Sequence, residues 1–337
     1  MRQHLCFALF LAASLLGFAQ TELQTRVVFW NVENLFDTFD DSLTWDEEFT
    51  PTGTRHWNGR KYANKLQKVS KTLIALGEWK GCDIIGLAEV ENRFVLNDLL
   101  GQTALKKEGY QIIHRESQDF RGIDVAIMYK ADAFKPYHST FITVHLPDTS
   151  RTTREVILSS GTLANGDTLH VMMNHWPSRY GGQMRSMPAR EAAAKTVRNA
   201  VDSILAIQNN ARILIMGDFN DEPIDESLAI HLEAAPFNEQ GGKSLINLST
   251  QLKNGGTHKY QGQWGVLDQI IVSRSLIEES NSTSIPPNQD LVYKADFLIE
   301  DDATHLGKKP NRTFVGFKYN GGYSDHLPIY IDLQSTK

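Results

Sequence analysis

Apolar residues in this chain gather in short runs rather than long ones. Runs rich in Val, Ile and Leu recur at residues 26–30, 83–87, 110–114, 123–129, 155–159, 169–173, 212–216, 267–272 and 327–333. Their length and β-branched content predict strands, and the nearly continuous ones predict central strands covered on both faces. Two stretches keep a different period. Tyr62, Leu66, Val69, Leu73 and Leu76 step by four and three, which predicts one face of a helix with Gly77 as its stop. Residues 188–207 place Ala192, Ala193, Val197, Ala200, Ile204 and Leu205 inward, with Pro188 suited to the first turn and Glu191 to the N-terminal end. Residues 281–287 read as a surface loop. No repeat, low-complexity tract or long Pro/Gly/Ser linker divides the chain, so residues 20–337 read as a single domain. The pattern predicts an α/β fold of two packed mixed β-sheets flanked by helices.

Residues 1–19 stand apart. Arg2 precedes an apolar run from Leu5 to Phe18, and Gln20-Thr21-Glu22 ends it sharply. The run is shorter than the roughly 20 residues a bilayer core requires. A basic start, a short apolar run and the exit Gly17-Phe18-Ala19 predict a cleaved secretory signal, and hence a secreted or periplasmic protein. Cys6 lies inside the run rather than at its exit, which argues against a lipid anchor there. No later stretch is long and apolar enough for a membrane helix.

The whole chain of 337 residues carries 34 Lys+Arg against 40 Asp+Glu. Without residues 1–19 it keeps 33 basic residues and a net charge of −7, and Cys82 is its one cysteine, so no internal disulfide can form. A composition of 41% hydrophobic and 22% charged residues excludes wholesale disorder. The acidic balance argues against a broad, sequence-blind grip on nucleic acid. It allows a phosphate substrate if a metal ion supplies the local positive charge.

Polar residues sit repeatedly at the ends of the apolar runs. Asn31 follows 27–30, Glu89 follows 84–88, Asn174 and His175 follow 171–173, and Asp218 and Asn220 follow 213–217. Asp268 follows Leu267, and Asp325 and His326 open the last run. Groups at strand ends can converge on one edge of a rigid sheet. Four carboxylates, two or three amides and two imidazoles without a cysteine suit Mg²⁺, with Mn²⁺ or Ca²⁺ as alternatives, rather than structural zinc. A hard metal with His and Asp is equipment for attacking a phosphate ester: it neutralises developing charge while a side chain orients and deprotonates water.

The order of these pieces resembles the endonuclease/exonuclease/phosphatase superfamily. The resemblance rests on Trp30-Asn31-Val32-Glu33-Asn34, Leu87-Ala88-Glu89-Val90-Glu91-Asn92, Asn174-His175-Trp176-Pro177-Ser178-Arg179, Gly217-Asp218-Phe219-Asn220-Asp221, Leu267-Asp268-Gln269 and Ser324-Asp325-His326-Leu327-Pro328. It covers about residues 25–333 and implies a four-layer αββα sandwich with the active site at one edge of the two central sheets. It further implies that Glu89 binds the metal, with Asn31 and Asp325 beside it. By the same resemblance, Asp218 and Asn220 orient the attacking water and the phosphate. Asp268 fixes the imidazole of His326, and His175 contacts the phosphate or leaving oxygen. The His at position 175 leans away from the apurinic endonucleases and towards deoxyribonuclease-like or phospholipase-like members.

Four further residues are candidates for the substrate side: Arg121 as a planar phosphate clamp, Asp124 as either an orienter of His175 or a partnered structural acid, and Asn174 and Arg179 beside the His175 loop. Trp57, Trp176 and Trp264 are candidates for base stacking. Loop segments 39–60 and 301–320 are candidates for specificity. The expected protein is a secreted, metal-dependent phosphoesterase hydrolysing phosphodiester bonds, a nuclease acting as a monomer. Its rivals are a phospholipid or inositol-phosphate phosphoesterase and a non-catalytic scaffold. The last is disfavoured because Glu89, His175, Asp218 and His326 are all present.

Overall fold

The computed structural model describes residues 22–238, 242, 244–252, 255–278, 280–287 and 289–336. The expected signal at 1–19 lies outside them. Along the chain the first half runs β1 (Glu22–Leu35), α1 (Gly59–Gly77), β2 (Ile84–Val90), α2 (Arg93–Gly101), β3 (Gln111–His114), β4 (Asp124–Tyr129), β5 (Phe134–Ile142), β6 (Val156–Leu163) and β7 (Thr168–His175). The second half runs α3 (Gln183–Ile207), β8 (Ile213–Asp218), β9 (Ala234–Pro236), β10 (Leu245–Asn247), β11 (His258–Tyr260), β12 (Gln263–Gly265), β13 (Asp268–Ser273) and β14 (Thr283–Ser284). It closes with β15 (Ile299–Asp301), β16 (Lys308–Pro310), β17 (Phe314–Val315), β18 (Lys318–Tyr319) and β19 (Ile329–Thr336).

Six strands form one sheet in the order β14-β19-β1-β2-β4-β3, and seven form another in the order β5-β6-β7-β8-β13-β10-β9. Both are mixed: β1 runs parallel to β2 and antiparallel to β19, while β7 runs parallel to β8 and β8 antiparallel to β13. The near-continuous apolar runs have a direct cause. Successive strand residues point to opposite faces, so Val27 and Phe29 enter the core between the sheets while Val28 and Trp30 face α1 and α2. Leu66, Val69, Leu73 and Leu76 of α1 fill that outer layer, as their period predicts. On the far side Ala193, Ala194, Val197 and Val201 of α3 pack on Met172, Ile213 and Ile215. Three apolar layers between four structural layers make the αββα sandwich.

Two local features set the spacing. Gly86 of β2 faces the other sheet, where an added Cβ would lie 2.6 Å from Met173 Sδ and 2.7 Å from the Met216 methyl. The two sheets approach closely there because that side chain is absent. α1 and α2 start at Asn58 and Asn92, whose side chains accept from the N–H of Lys61 and Val95.

The α3 expectation needs correction. The helix begins at Gln183, so Pro188 lies inside it rather than in its first turn. Proline there offers no N–H to the carbonyl of Met184, a cost contained by the solvent exposure of residues 183–185. The inward face is also wider than predicted: Arg190, Ala194 and Val201 are buried, while Ala200, Ile204 and Leu205 are half-buried. Cys82 is a buried free thiol donating to the carbonyl of Leu73.

Candidate active site

Strand register lines up the first three groups. His175 ends β7 opposite Asp218 of β8, and Asp218 lies opposite Asp268 of β13. From the other sheet, Asn31 of β1 sits opposite Ala88, one residue before Glu89. His326, just ahead of β19, arrives on the same edge through its backbone: its N–H bonds Ser324 Oγ, which donates to the carbonyl of Asn31, and its carbonyl accepts from Trp30 Nε1.

The pairing breaks where the chemistry begins. β1 is irregular between Asn31 and Leu35, and β2 bulges between Ala88 and Val90. Glu33, Asn34, Glu89 and Asn220 all take left-handed φ values of 53–62° without being glycine. That backbone is unfavourable for a side-chain-bearing residue, and such outliers concentrate at functional sites. Here the bulge turns the Glu89 carboxylate toward Asn31, and Asn34 N–H clasps it at 2.9 Å.

Asp218 Oδ2 is the centre of the constellation. Asn31 Nδ2 donates to it at 3.0 Å, His175 Nε2 lies 3.7 Å away and His326 Nε2 3.9 Å away. Its other oxygen accepts Asn220 N–H at 2.9 Å. His326 Nδ1 pairs with Asp268 Oδ2 at 2.7 Å, and His326 Nε2 stands 4.0 Å from Asp325 Oδ1. Burial raises the Asp218 carboxyl to about 7, against the pull of charged His326. Burial also disfavours a charge on His326, but Asp268, with Asp218 and Asp325, overrides it and holds the imidazole protonated well above its ordinary range. His175 is pushed the other way, by burial and by Arg154 and Arg121, and stays neutral.

A second set of charges, which the sequence reading missed, lies beneath the metal candidates. Glu33 is buried and accepts from Thr313 N–H and from Arg312, which also pairs with Asp325 at 2.8 Å. Lys65 of α1 is buried, with Nζ donating to Thr313 Oγ1 and the Tyr323 carbonyl at 2.6 Å each. Burial and the charge of Asp325 raise Glu33 to about 7, and burial lowers Lys65 to about 8. One signal for Lys65 was present: it falls three residues after Tyr62, on the inward face of the predicted helix. His258 is also new. Its backbone bridges His326, its ring lies 4.7 Å from the His326 ring, and burial lowers it to about 4.

The substrate-side candidates separate. Arg121 is part-exposed beside Asp119, close enough to His175 to depress it. Buried Arg154 does more: it donates to the His175 and Trp176 carbonyls and pairs with Asp119 at 2.8 Å. Arg179 braces the Asn220 loop, donating to the Asn220 carbonyl and pairing with Asp221 and Asp225. Asp124 meets Ser117 N–H and lies 3.7 Å from His114, so its partner is not His175. Asn174 is fully buried between the Met216 carbonyl and Trp176 Nε1, which makes it a brace under the His175 loop rather than a substrate contact. Trp57 and Trp176 belong to the core; Trp264 is half-buried.

The donor chemistry fits a hard cation: Glu89, Asn31 and Asp325 offer oxygens at one edge of the site. Among the described residues, the tightest candidate clusters are Asp218–Asp268–His326 and His258–Asp325–His326. Glu89 belongs to neither. His326 Nδ1 is committed to Asp268 Oδ2 at 2.7 Å, and in the metal-free protein both clusters serve as hydrogen-bonding machinery. Among the described residues of the site, Asp268 Oδ1 and His175 Nδ1 are buried without a hydrogen-bond partner.

Solved structures share this architecture. The human Nocturnin catalytic domain with bound sulfate is 17% identical, with a TM-score of 0.56, over 95% of this chain and 98% of that one. D. rerio TDP2 complexed with single strand DNA product is 16% identical, with a TM-score of 0.54, over 92% and 98%. An endonuclease/exonuclease/phosphatase family protein from Bacteroides thetaiotaomicron is 13% identical, with a TM-score of 0.53, over 94% and 99%. A comparison with curated protein sequences gave no significant match. The model of the Endonuclease/Exonuclease/phosphatase family matches residues 26–335, which contain every strand-end residue of this site, and the chain belongs to that family.

Proposed function

We propose that this protein is an exported, divalent-metal-dependent phosphodiesterase acting on nucleic acid. The observation that carries the reading is the convergence on Asp218: Asn31 of β1, His175 of β7 and His326 from the loop before β19 stand within 3.9 Å of one carboxylate oxygen. Family membership supports phosphoester hydrolysis. The DNA product held by D. rerio TDP2 supports nucleic acid as the substrate class. The sequence of residues 1–19 supports export, and N-terminal sequencing of the exported protein tests it by a start near residue 20.

Asn31, Glu89 and Asp325 would hold Mg²⁺, with Mn²⁺ or Ca²⁺ as chemical equivalents. The ion would polarise a phosphate oxygen and offset the charge developing on phosphorus. The chain's own groups then divide the remaining work. Asp218, with a pKa near 7, suits a group that orients water and accepts its proton near neutral pH. Asn31 and Asn220 fix that carboxylate from two sides. Charged His326, aimed by Asp268, donates from Nε2 to a phosphate oxygen lying between Asp218 and Asp325. Neutral His175, held from its backbone by Arg154 and 3.7 Å from Asp218, would contact the same phosphate group.

The test is a panel of plasmid DNA, RNA, sphingomyelin and inositol phosphates, each offered to purified protein with Mg²⁺. Nucleic-acid cleavage is expected. Hydrolysis of the lipid or the inositol phosphates alone would overturn the substrate assignment.

A further inference from the structure

A groove of about 790 Å³ opens beside His326. One wall is the segment from Arg179 to Gln183, the other is the β11–β12 hairpin, and His258 and Asn220 stand at its inner end. His258 lines the groove and its ring centroid lies 4.7 Å from that of His326, so the groove runs up to the immediate neighbour of that imidazole. Three aromatic residues line it: Tyr180 (90% exposed), Tyr260 (68% exposed) and half-buried Trp264. The hairpin is pinned from behind, since Lys259 pairs with Asp302 at 2.9 Å and donates to the Leu306 and Lys308 carbonyls. Tyr180 stands before Gly181 and Gly182, whose φ values of 80° and 109° admit few other residues.

The lining tells ligand classes apart. A phosphorylated sugar requires free cations. Among the described lining residues Arg179 is the one full cation, and it is spent on Asn220, Asp221 and Asp225. A quaternary ammonium head group favours several aromatic faces at once, and here the Lys294 ammonium, 4.8 Å from the Trp264 ring centroid, takes the tryptophan face and would repel a second cation beside it. What remains is suited to a flat, uncharged group with hydrogen-bonding edges: exposed rings for its faces, and the amides of Gln183 and Gln263 for its rim. We propose that this groove holds an unpaired nucleobase next to the scissile phosphate, stacked on Tyr180 and Tyr260, so that the preferred substrate is single-stranded. The proposal rests on the phosphodiesterase reading. A base inside a duplex has both faces covered by its neighbours and cannot enter; an unpaired base can.

The experiment is a fluorescence-anisotropy titration in EDTA, so that no strand is cut. It uses three labelled ligands of equal length: a single-stranded DNA oligomer, the same strand with its bases removed, and a blunt duplex. The wild-type protein is expected to bind the single strand at least tenfold more tightly than the other two. Tyr180→Ala and Tyr260→Ala should each weaken single-strand binding by about 5- to 150-fold, the usual worth of one stacked base, and leave the base-free strand unaffected. Both side chains are exposed, so neither change removes core packing; Trp264→Phe, which keeps a ring, should cost less. Equal affinity for all three ligands, variants within twofold of wild type, or no binding of any strand would each overturn the proposal. A parallel cleavage assay with Mg²⁺ keeps the two readings apart. Cleavage that ignores both tyrosines removes the groove and keeps the phosphodiesterase, whereas strand-selective binding without any cleavage removes the phosphodiesterase and keeps the groove.

Discussion

The buried acids of the second sheet, Asp218 and Asp268, each have a hydrogen-bonding partner within the site. Asp268 meets His326 at 2.7 Å, and Asp218 is held by Asn31 and by Asn220. On the side of the first sheet, Arg312 pairs with both Glu33 and Asp325, buried Lys65 acts on them through space, and Glu89 is held by Asn31 and Asn34. The first arrangement sets proton positions by itself. In the second, burial and then the Asp325 charge raise Glu33 to about 7, while against burial His326 and Arg312 hold Asp325 below its ordinary range. The difference assigns proton handling to one half and cation binding to the other.

The largest effect should come from the proton-handling half. His326→Ala is expected to lower kcat by about 10²–10⁴-fold at saturating metal, the usual worth of a positioned acid or base. A loss of only a few-fold in steady-state assays would move that role elsewhere. In the cation half, Glu89→Gln should weaken divalent-metal binding and lower activity together by about 10²-fold, a Lewis acid being worth several kcal/mol. Isothermal titration with metal and circular dichroism check that affinity falls while the fold stays. Unchanged activity at saturating Mg²⁺ would take Glu89 off the ion. Arg312→Leu releases Asp325 from its 2.8 Å ion pair and should cost about 10–100-fold in activity, as outer partners of metal ligands do. Metal titration of this variant against Glu89→Gln shows whether Arg312 works through Asp325.

The smallest effect is on stability against pH. Glu33 has a folded pKa of about 7, above its ordinary 4.5, so the folded state binds the extra proton between those values. Metal-free protein should therefore lose stability as pH rises toward and through 7. His326, also raised, adds no opposing trend, because its contribution is fully present below its ordinary range and is lost only as pH rises through its higher folded pKa. Between pH 5 and 7 the Tm of the wild type should fall relative to that of Glu33→Gln, the comparison removing the shares of Asp218, His175 and His258, which both proteins keep. Parallel curves over this window would mean that the Glu33 carboxyl is balanced after all.

Much of this was legible beforehand because strand and helix periods are local. The α1 face from Tyr62 to Leu76 and the strands around 26–30 and 213–216 follow from residues a few positions apart. The site residues at strand ends were legible for a related reason: a polar group directly after an apolar run sits at a sheet edge wherever that sheet lies. Edge strand β5 was not legible, since Pro136 and its half-exposed pattern break the apolar run that marks a strand. Nor were the roles of Asp124 and Asn174, which depend on His114, Met216 and Trp176 and not on their own neighbours in sequence.

The sequence by itself determined the layers, through the alternation that sends Val27 and Val28 to opposite cores, and it determined which strand ends carry acids, amides and imidazoles. Tertiary structure alone decided the charge states and the counter-charges. Asp218 reaches a pKa near 7 because it is buried among groups from other strands, and Lys65 meets Glu33 and Asp325 only because α1 packs on that sheet. Periodicity reports on spacing along the chain, whereas burial and Coulomb interactions depend on distances through space.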